Sequence, residues 1–311
     1  MLSRRQIREA VVQFLYCADL EGGADPASLR DAFWQFVTES DRRALLQATW
    51  KTLHHLSLGR EARLTEFQKR FPVALAHLQA RPDLERTAMA LQTIDDMEKL
   101  WSAQMITLSR IPRDDDSFSN KFEPALAKFF RTDRDLALAR KRFLQLLEDI
   151  PGLRAQFEPI AGRVRRLDRI SERVRMVEEP ENFPDQGDLA KIRDSKKMIA
   201  KLRLETDRLA DSVLSEKDDL DQRLAAIVDN FAPERIDPVD RAILRLATWE
   251  IIHDEKVPAP VAIDEAIELA KRFGTTDSGR FVNGVLDKLA KNVATQQSPE
   301  DAPVNAPVDP S

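Results

Sequence analysis

Apolar residues recur along this chain at intervals of three and four, the period of helices buried on one side. Near the N-terminus, Ser3 and Gln6 have capping-box spacing, and Ile7, Val11, Phe14, Leu15 and Ala18 follow at helical intervals. At about 100° per residue these positions share one face, with Arg5, Arg8, Val12 and Tyr16 on a stripe off it. The helix is expected to stop near Gly22-Gly23, and a second to start after Asp25-Pro26 with Leu29, Phe33, Phe36 and Val37 inward. Towards the other end, a long helix is expected from about Asp194 to Phe231, with Leu202, Leu209, Val213, Leu220, Leu224 and Ile227 as core positions. Asp237-Pro238 reads as an N-cap followed by proline at the first helical position, ahead of inward Ile243, Leu246 and Ala247. Val257-Pro-Ala-Pro260 interrupts the pattern. Ile263, Ala266, Ile267, Ala270 and Phe273 then form a helical face stopped by Gly274. Asp277 or Ser278 is expected to cap a last helix with Val282, Val285, Leu286 and Leu289 inward and Gly284 permitting close packing. The pattern predicts an all-α protein.

Between Thr38 and Asp194 several further helical patterns are separated by Pro72, Pro82, Pro112, Pro151 and the loop Glu178 to Gly187. After Gln297 a proline-rich stretch is expected to be a disordered tail. No repeat of fixed period runs through the chain.

Composition narrows the class. A chain of 311 residues can hold one large or two ordinary domains, each with its own core. Nine glycines and one tyrosine argue against a sheet-rich fold, and 42% apolar with 32% charged residues suits amphipathic helices. The single cysteine, Cys17, excludes an internal disulfide. The charged start Met1-Leu-Ser-Arg-Arg-Gln lacks an apolar signal region, and no apolar run reaches the roughly 18 residues of a membrane span. A cytoplasmic protein without membrane contact is the expectation. The net charge of −5 does not favour nucleic acid. Phosphate attraction depends on local potential, however, so an acidic chain can carry a basic face.

Catalytic chemistry finds little support. His54, His55, His77 and His253 lack metal-ligand spacing, Cys17 has no partner cysteine, and Gly274, Gly279 and Gly284 do not form a phosphate-cradling loop. The chain is expected to be no enzyme and to need no metal or cofactor. Arg4, Arg5 and Arg8 stand out instead, because they occupy the first turns of a helix, where the macrodipole favours acidic residues. They read either as a phosphate site at a positive helix end or as a solvated basic face, with Tyr16 on the same stripe. Arg280 beside Phe281 suits unpaired bases, although packing alone accounts for Phe281. The cluster Arg163 to Arg175 is interleaved with Asp168 and Glu172, so a solvated helix face is favoured over RNA contact.

The run Arg4 to Leu20, with Gln13, Leu15 and Tyr16, resembles the arginine-rich first helix of the NusB family. The stretches Ile236 to Glu250, Val261 to Gly274 and Thr275 to Lys288 resemble that family's C-terminal helices. The resemblance implies an all-α bundle of two packed helical subdomains. It implies binding of the boxA element of ribosomal RNA leader transcripts with NusE, a ribosomal small-subunit protein, within an RNA polymerase antitermination complex. It further implies RNA contacts at Arg4, Arg5, Arg8, Asp277, Arg280 and Phe281, and positions near the NusE and RNA interface at Tyr16 and Glu250. Family members are generally near half this length. The expected organisation is therefore NusB-like helices over 1–37 and 195–296, a helical insertion over 38–194, and a tail over 297–311. Two other readings stay open: an RNA-binding subunit of a ribosomal RNA cytosine methyltransferase system, and an interaction scaffold whose working part is the insertion.

Overall fold

The computed structural model describes residues 2–21, 25–228 and 235–297. The expected stop at Gly22-Gly23, the helix end at Phe231 and the tail from residue 298 lie outside the described residues. Among the described residues the protein is all-α, without strands. The chain divides into two compact units, one of residues 1–37 and 198–311, the other of residues 38–197.

The first unit opens with α1 (Arg4–Leu20) and α2 (Pro26–Val37). Ser3 and Gln6 form the reciprocal cap, with the Gln6 N–H donating to Ser3 Oγ at 3.2 Å and the Ser3 N–H to Gln6 Oε1 at 3.0 Å. Val11, Phe14 and Leu15 are buried as their spacing requires. Arg8 and Val12, expected off the core, are buried too, because α10 and α2 cover α1 on adjoining sides. In α2 the expectation for Phe36 is overturned: it is 84% exposed. The helix is turned by Trp34, which is buried edge-on against Phe33 and donates from its indole N–H to Asp207.

The second unit contains α3 (Glu39–Leu56), α4 (Arg60–Gln79), α5 (Glu85–Arg110), α6 (Phe118–Glu148) and α7 (Arg154–Glu178). Gly59, at φ 79°, makes the left-handed reversal between α3 and α4 that a side chain would resist. Pro72 does not separate helices; it lies inside α4, on an exposed face where water can satisfy the carbonyl that its ring leaves unpaired. Pro82 and Pro151 open 3-10 turns ahead of α5 and α7. The core is dense in aromatics, with Phe118 stacked on Phe122, Trp50 edge-on to Phe122, and Trp101 edge-on to Phe129.

At its centre lies a buried polar network. Glu98 on α5, fully buried, accepts from Arg60 Nη2 at 2.6 Å and from Arg140 Nε at 3.1 Å. Arg140 also donates to Ser171 Oγ at 2.6 Å, and Ser171 donates onward to Asp133 Oδ1 at 2.8 Å. The Trp101 indole N–H reaches the same oxygen at 2.8 Å, while its ring lies 3.8 Å beneath the Arg60 guanidinium.

The helix α8 (Ala190–Ser215) starts in the second unit and ends in the first. The expected single long helix is broken at Glu216, and α9 (Lys217–Ala225) follows. Next come α10 (Pro238–His253), α11 (Ala259–Phe273) and α12 (Ser278–Gln297), which pack on one another. Asp237 caps α10 by accepting the Val239 N–H at 2.8 Å. Ile243, Leu246, Ala247, Ile263, Ala266, Ala270, Val282, Val285, Leu286 and Leu289 are buried as their spacing required. Gly284 is exposed, with nothing among the described residues within 4 Å of an added Cβ, so close packing does not explain it.

Candidate nucleic-acid interface

Helix α1 lies against α10, with ion pairs reaching from it to α11. Arg8 is only 4% exposed and holds Glu250, itself 5% exposed, through its Nε at 2.9 and 3.0 Å. Arg5 grips Glu265 with two parallel bonds of 3.1 and 2.9 Å, and Arg272 pairs with Glu9. At the other end of α1, Asp19 accepts from Arg241 at 2.7 Å and Arg245 at 2.8 Å, and Arg245 donates onward to Asp221.

These contacts change the meaning of the basic helix start. Arg8 is not a free cation for phosphate, because its charge is taken up by Glu250 and approached by Glu265 at 3.6 Å. Glu250 in turn is no exposed partner contact; it is the counter-ion of Arg8. Burial pushes the Glu250 carboxyl above its ordinary range, opposed by Arg8. Arg5 is half-exposed at its side chain and holds the Glu265 carboxyl below the usual range through its hydrogen bonds. Arg4 is exposed and forms no salt bridge among the described residues. Tyr16 is half-buried and packs against the core.

Beside Arg4 an open cleft of about 370 Å³ is walled by α1, α8 and the C-terminal end of α10. Sequence reasoning missed three of its lining residues: Arg208, Lys256 and Trp249. Arg208 and Lys256 are exposed and, like Arg4, form no salt bridge among the described residues. Trp249 is held by its indole N–H to Glu216 at 3.2 Å, and its ring lies 5.6 Å from that of His253. The pair Trp249 and His253, one turn apart on the flank of α10, was the signal available in sequence. Arg208 carried none, being one basic residue among many in α8. Cations spaced around an indole can take phosphates and an unpaired base together.

The turn after α11 is anchored from below. Ser278 is buried, accepts the Thr275 N–H at 2.9 Å and donates to Asp240 at 2.9 Å. Gly274 allows this approach, since a Cβ there would meet Ser278 Oγ at 2.5 Å. Burial pushes the Asp240 carboxyl up, against the Ser278 hydrogen bond. Asp277 is exposed, and its backbone carbonyl accepts from the N–H groups of Arg280 and Phe281 at 3.1 Å. Arg280 is exposed, while Phe281 is half-buried against the core. No group of three or more His, Cys, Asp or Glu that could hold a metal occurs among the described residues. No described helix is long and apolar enough to cross a membrane.

The NusB family model matches residues 169–291. "Transcription antitermination protein NusB" of Pseudothermotoga lettingae is 46% identical over 78 residues, covering 25% of this chain and 56% of that protein. The protein of the same name from Dehalococcoides mccartyi (strain CBDB1) is 46% identical over 87 residues, covering 28% of this chain and 61% of that protein. The chain thus spans little more than half the length of these curated relatives. The solved T. maritima NusB aligns at 32% identity over 38% of this chain and 85% of that one, with a TM-score of 0.31.

Proposed function

This chain belongs to the NusB family through residues 169–291, and from that membership we propose that it is a non-catalytic transcription antitermination factor. In this reading it binds the boxA element of ribosomal RNA leader transcripts together with NusE, within an RNA polymerase antitermination complex. The observation that supports the reading is the pairing of Arg8 with Glu250 across 242 residues, which seats α1 on the C-terminal helices and leaves Arg4 beside Arg208, Lys256 and Trp249. RNA phosphates meet Arg4, Arg208 and Lys256, with Arg5 held at the edge by Glu265. Arg280 and Phe281, on the first turn of α12, are the second contact region. Arg8 and Glu250 support the surface from beneath.

The test is fluorescence anisotropy of the full chain with boxA-like single-stranded RNA, with and without NusE. NusE is expected to tighten binding. Arg4→Ala and Arg280→Ala are each expected to weaken it and to flatten the salt dependence of the affinity by about one unit of slope. A double variant with the affinity and slope of the unaltered protein would overturn the assignment.

A further inference from the structure

The second unit carries a surface that the RNA-binding reading does not use. Met89 on α5 and Leu138 on α6 are 64% and 66% exposed, although α5 and α6 pack closely. They are walls of one depression of about 300 Å³ whose small residues Ala90 and Ala139 leave a trough between the helices. Met89 is shared with a second depression and Leu138 with a third, so three hollows run side by side. Arg86 and Arg142 line the central one, which holds no carboxylate. Both are exposed and form no salt bridge among the described residues.

We infer that this trough docks an acidic amphipathic helix of a partner protein, its apolar side chains seated between Met89 and Leu138 and its carboxylates on Arg86 and Arg142. Grooves between helices accept a helix through apolar anchors three or four residues apart, and a flexible methionine wall adapts to them. Charge selects the occupant. A second copy docked by two-fold symmetry would set Arg86 and Arg142 against their own counterparts. RNA would meet exposed aliphatic groups with no aromatic ring in the central trough on which a base could stack.

The test uses the intact chain and a fluorescein-labelled synthetic helix with Leu at positions i, i+4 and i+7 and Glu on its flanks. Its control replaces every Glu by Lys. The acidic peptide is expected to bind at least tenfold more tightly than the basic one. Met89→Glu combined with Leu138→Glu is expected to lower its affinity at least tenfold. Arg86→Glu with Arg142→Glu is expected to reverse the preference between the peptides. Circular dichroism checks that each variant keeps the helical content of the unaltered protein. Equal binding of both peptides, no binding of the acidic one, or affinity unmoved by the Met89 and Leu138 changes would overturn the proposal. So would competition for this groove by oligo-uridine, or a dimer of the chain that the same changes abolish. None of these results depends on boxA binding, which the first unit would retain.

Discussion

Both units bury arginine with carboxylate, and they do so to different ends. In the second unit Glu98 and Arg140 are 0% and 1% exposed and bond to buried groups, while Arg60 also reaches the exposed Glu61 at the rim. In the first unit Arg8 and Glu250 are nearly as buried, yet they line a cleft open to solvent. The buried network fixes how α4, α5, α6 and α7 pack; the bordering pair fixes where a charged surface lies. Burial alone therefore does not separate a structural ion pair from one that supports a binding face. What separates them is whether free cations stand beside it.

Glu98→Ala should cost the most stability. It strips Arg60 and Arg140 of their shared buried carboxylate, leaving the more exposed Glu61 and Asp168 as counter-ions, and loss of one partner of a buried pair costs about 3–5 kcal/mol. The value should lie at the upper end, since one carboxylate serves two guanidinium groups. Chemical denaturation followed by the fluorescence of Trp50 and Trp101 measures it, because both tryptophans belong to that unit's core.

Arg8→Ala comes next, at about 3 kcal/mol. The loss is smaller because the Glu250 carboxyl, already pushed up by burial, can take a proton once its cation is gone. Arg4→Ala, at an exposed position one turn before Arg8, should change stability by no more than about 0.5 kcal/mol, as exposed substitutions do. Equal destabilisation by both variants, measured by urea denaturation, would erase the distinction between support and surface.

Two carboxyls, Asp133 in the second unit and Asp19 in the first, should respond to acid in opposite directions. Burial pushes the Asp133 carboxyl up against the hydrogen bonds from Trp101 and Ser171, and its Oδ2 accepts no hydrogen bond among the described residues. The folded second unit holds that proton more tightly than the unfolded chain does. Its contribution is fully present below the ordinary aspartate pKa of about 4 and is lost as pH rises through the raised folded value. Asp19 behaves in reverse. Burial would raise its carboxyl, but Arg241 and Arg245 outweigh that and hold it below the usual range. Its contribution is complete above about 4 and is lost as pH falls through the lowered value. Asp133→Asn keeps the acceptor for Trp101 and Ser171 without an ionisable proton. Urea midpoints recorded between acid and neutral pH should show the Asp133 contribution vanish in that variant while the Asp19 contribution remains.

Local physics was legible in the residues, and long-range pairing was not. The Ser3–Gln6 cap, the Asp237-Pro238 start and the faces of α10, α11 and α12 rest on contacts within a few residues, which spacing encodes. Arg8 looked free because its counter-ion lies 242 residues away, and Phe36 looked buried because the indole of Trp34 decides the roll of α2. Of the candidate interface, Arg4 and Arg280 were legible as exposed cations. Arg208 and Lys256 were not, because only the fold brings α8 and the end of α10 beside α1. The Glu98 network was invisible for the same reason: its partners come from four helices.

The smallest effect concerns two glycines on either side of the candidate RNA turn. Gly284 is exposed in the interior of α12, and an added Cβ would meet nothing among the described residues within 4 Å. Gly284→Ala should therefore stabilise the first unit by about 0.5–1 kcal/mol, by narrowing the unfolded ensemble and favouring the helix. Gly274→Ala should do the opposite, since its Cβ would fall 2.6 Å from Ser278 Cβ and 2.8 Å from the Ala270 carbonyl oxygen. That clash would pull Ser278 from Asp240 and shift the base of α12, carrying Arg280 with it. Thermal unfolding of the two variants, with RNA affinity measured alongside, separates them. Gly284→Ala should raise the midpoint with affinity unchanged, and Gly274→Ala should lower both. If Gly284→Ala weakened RNA binding without loss of stability, the RNA-contacting surface would extend along α12 beyond Phe281.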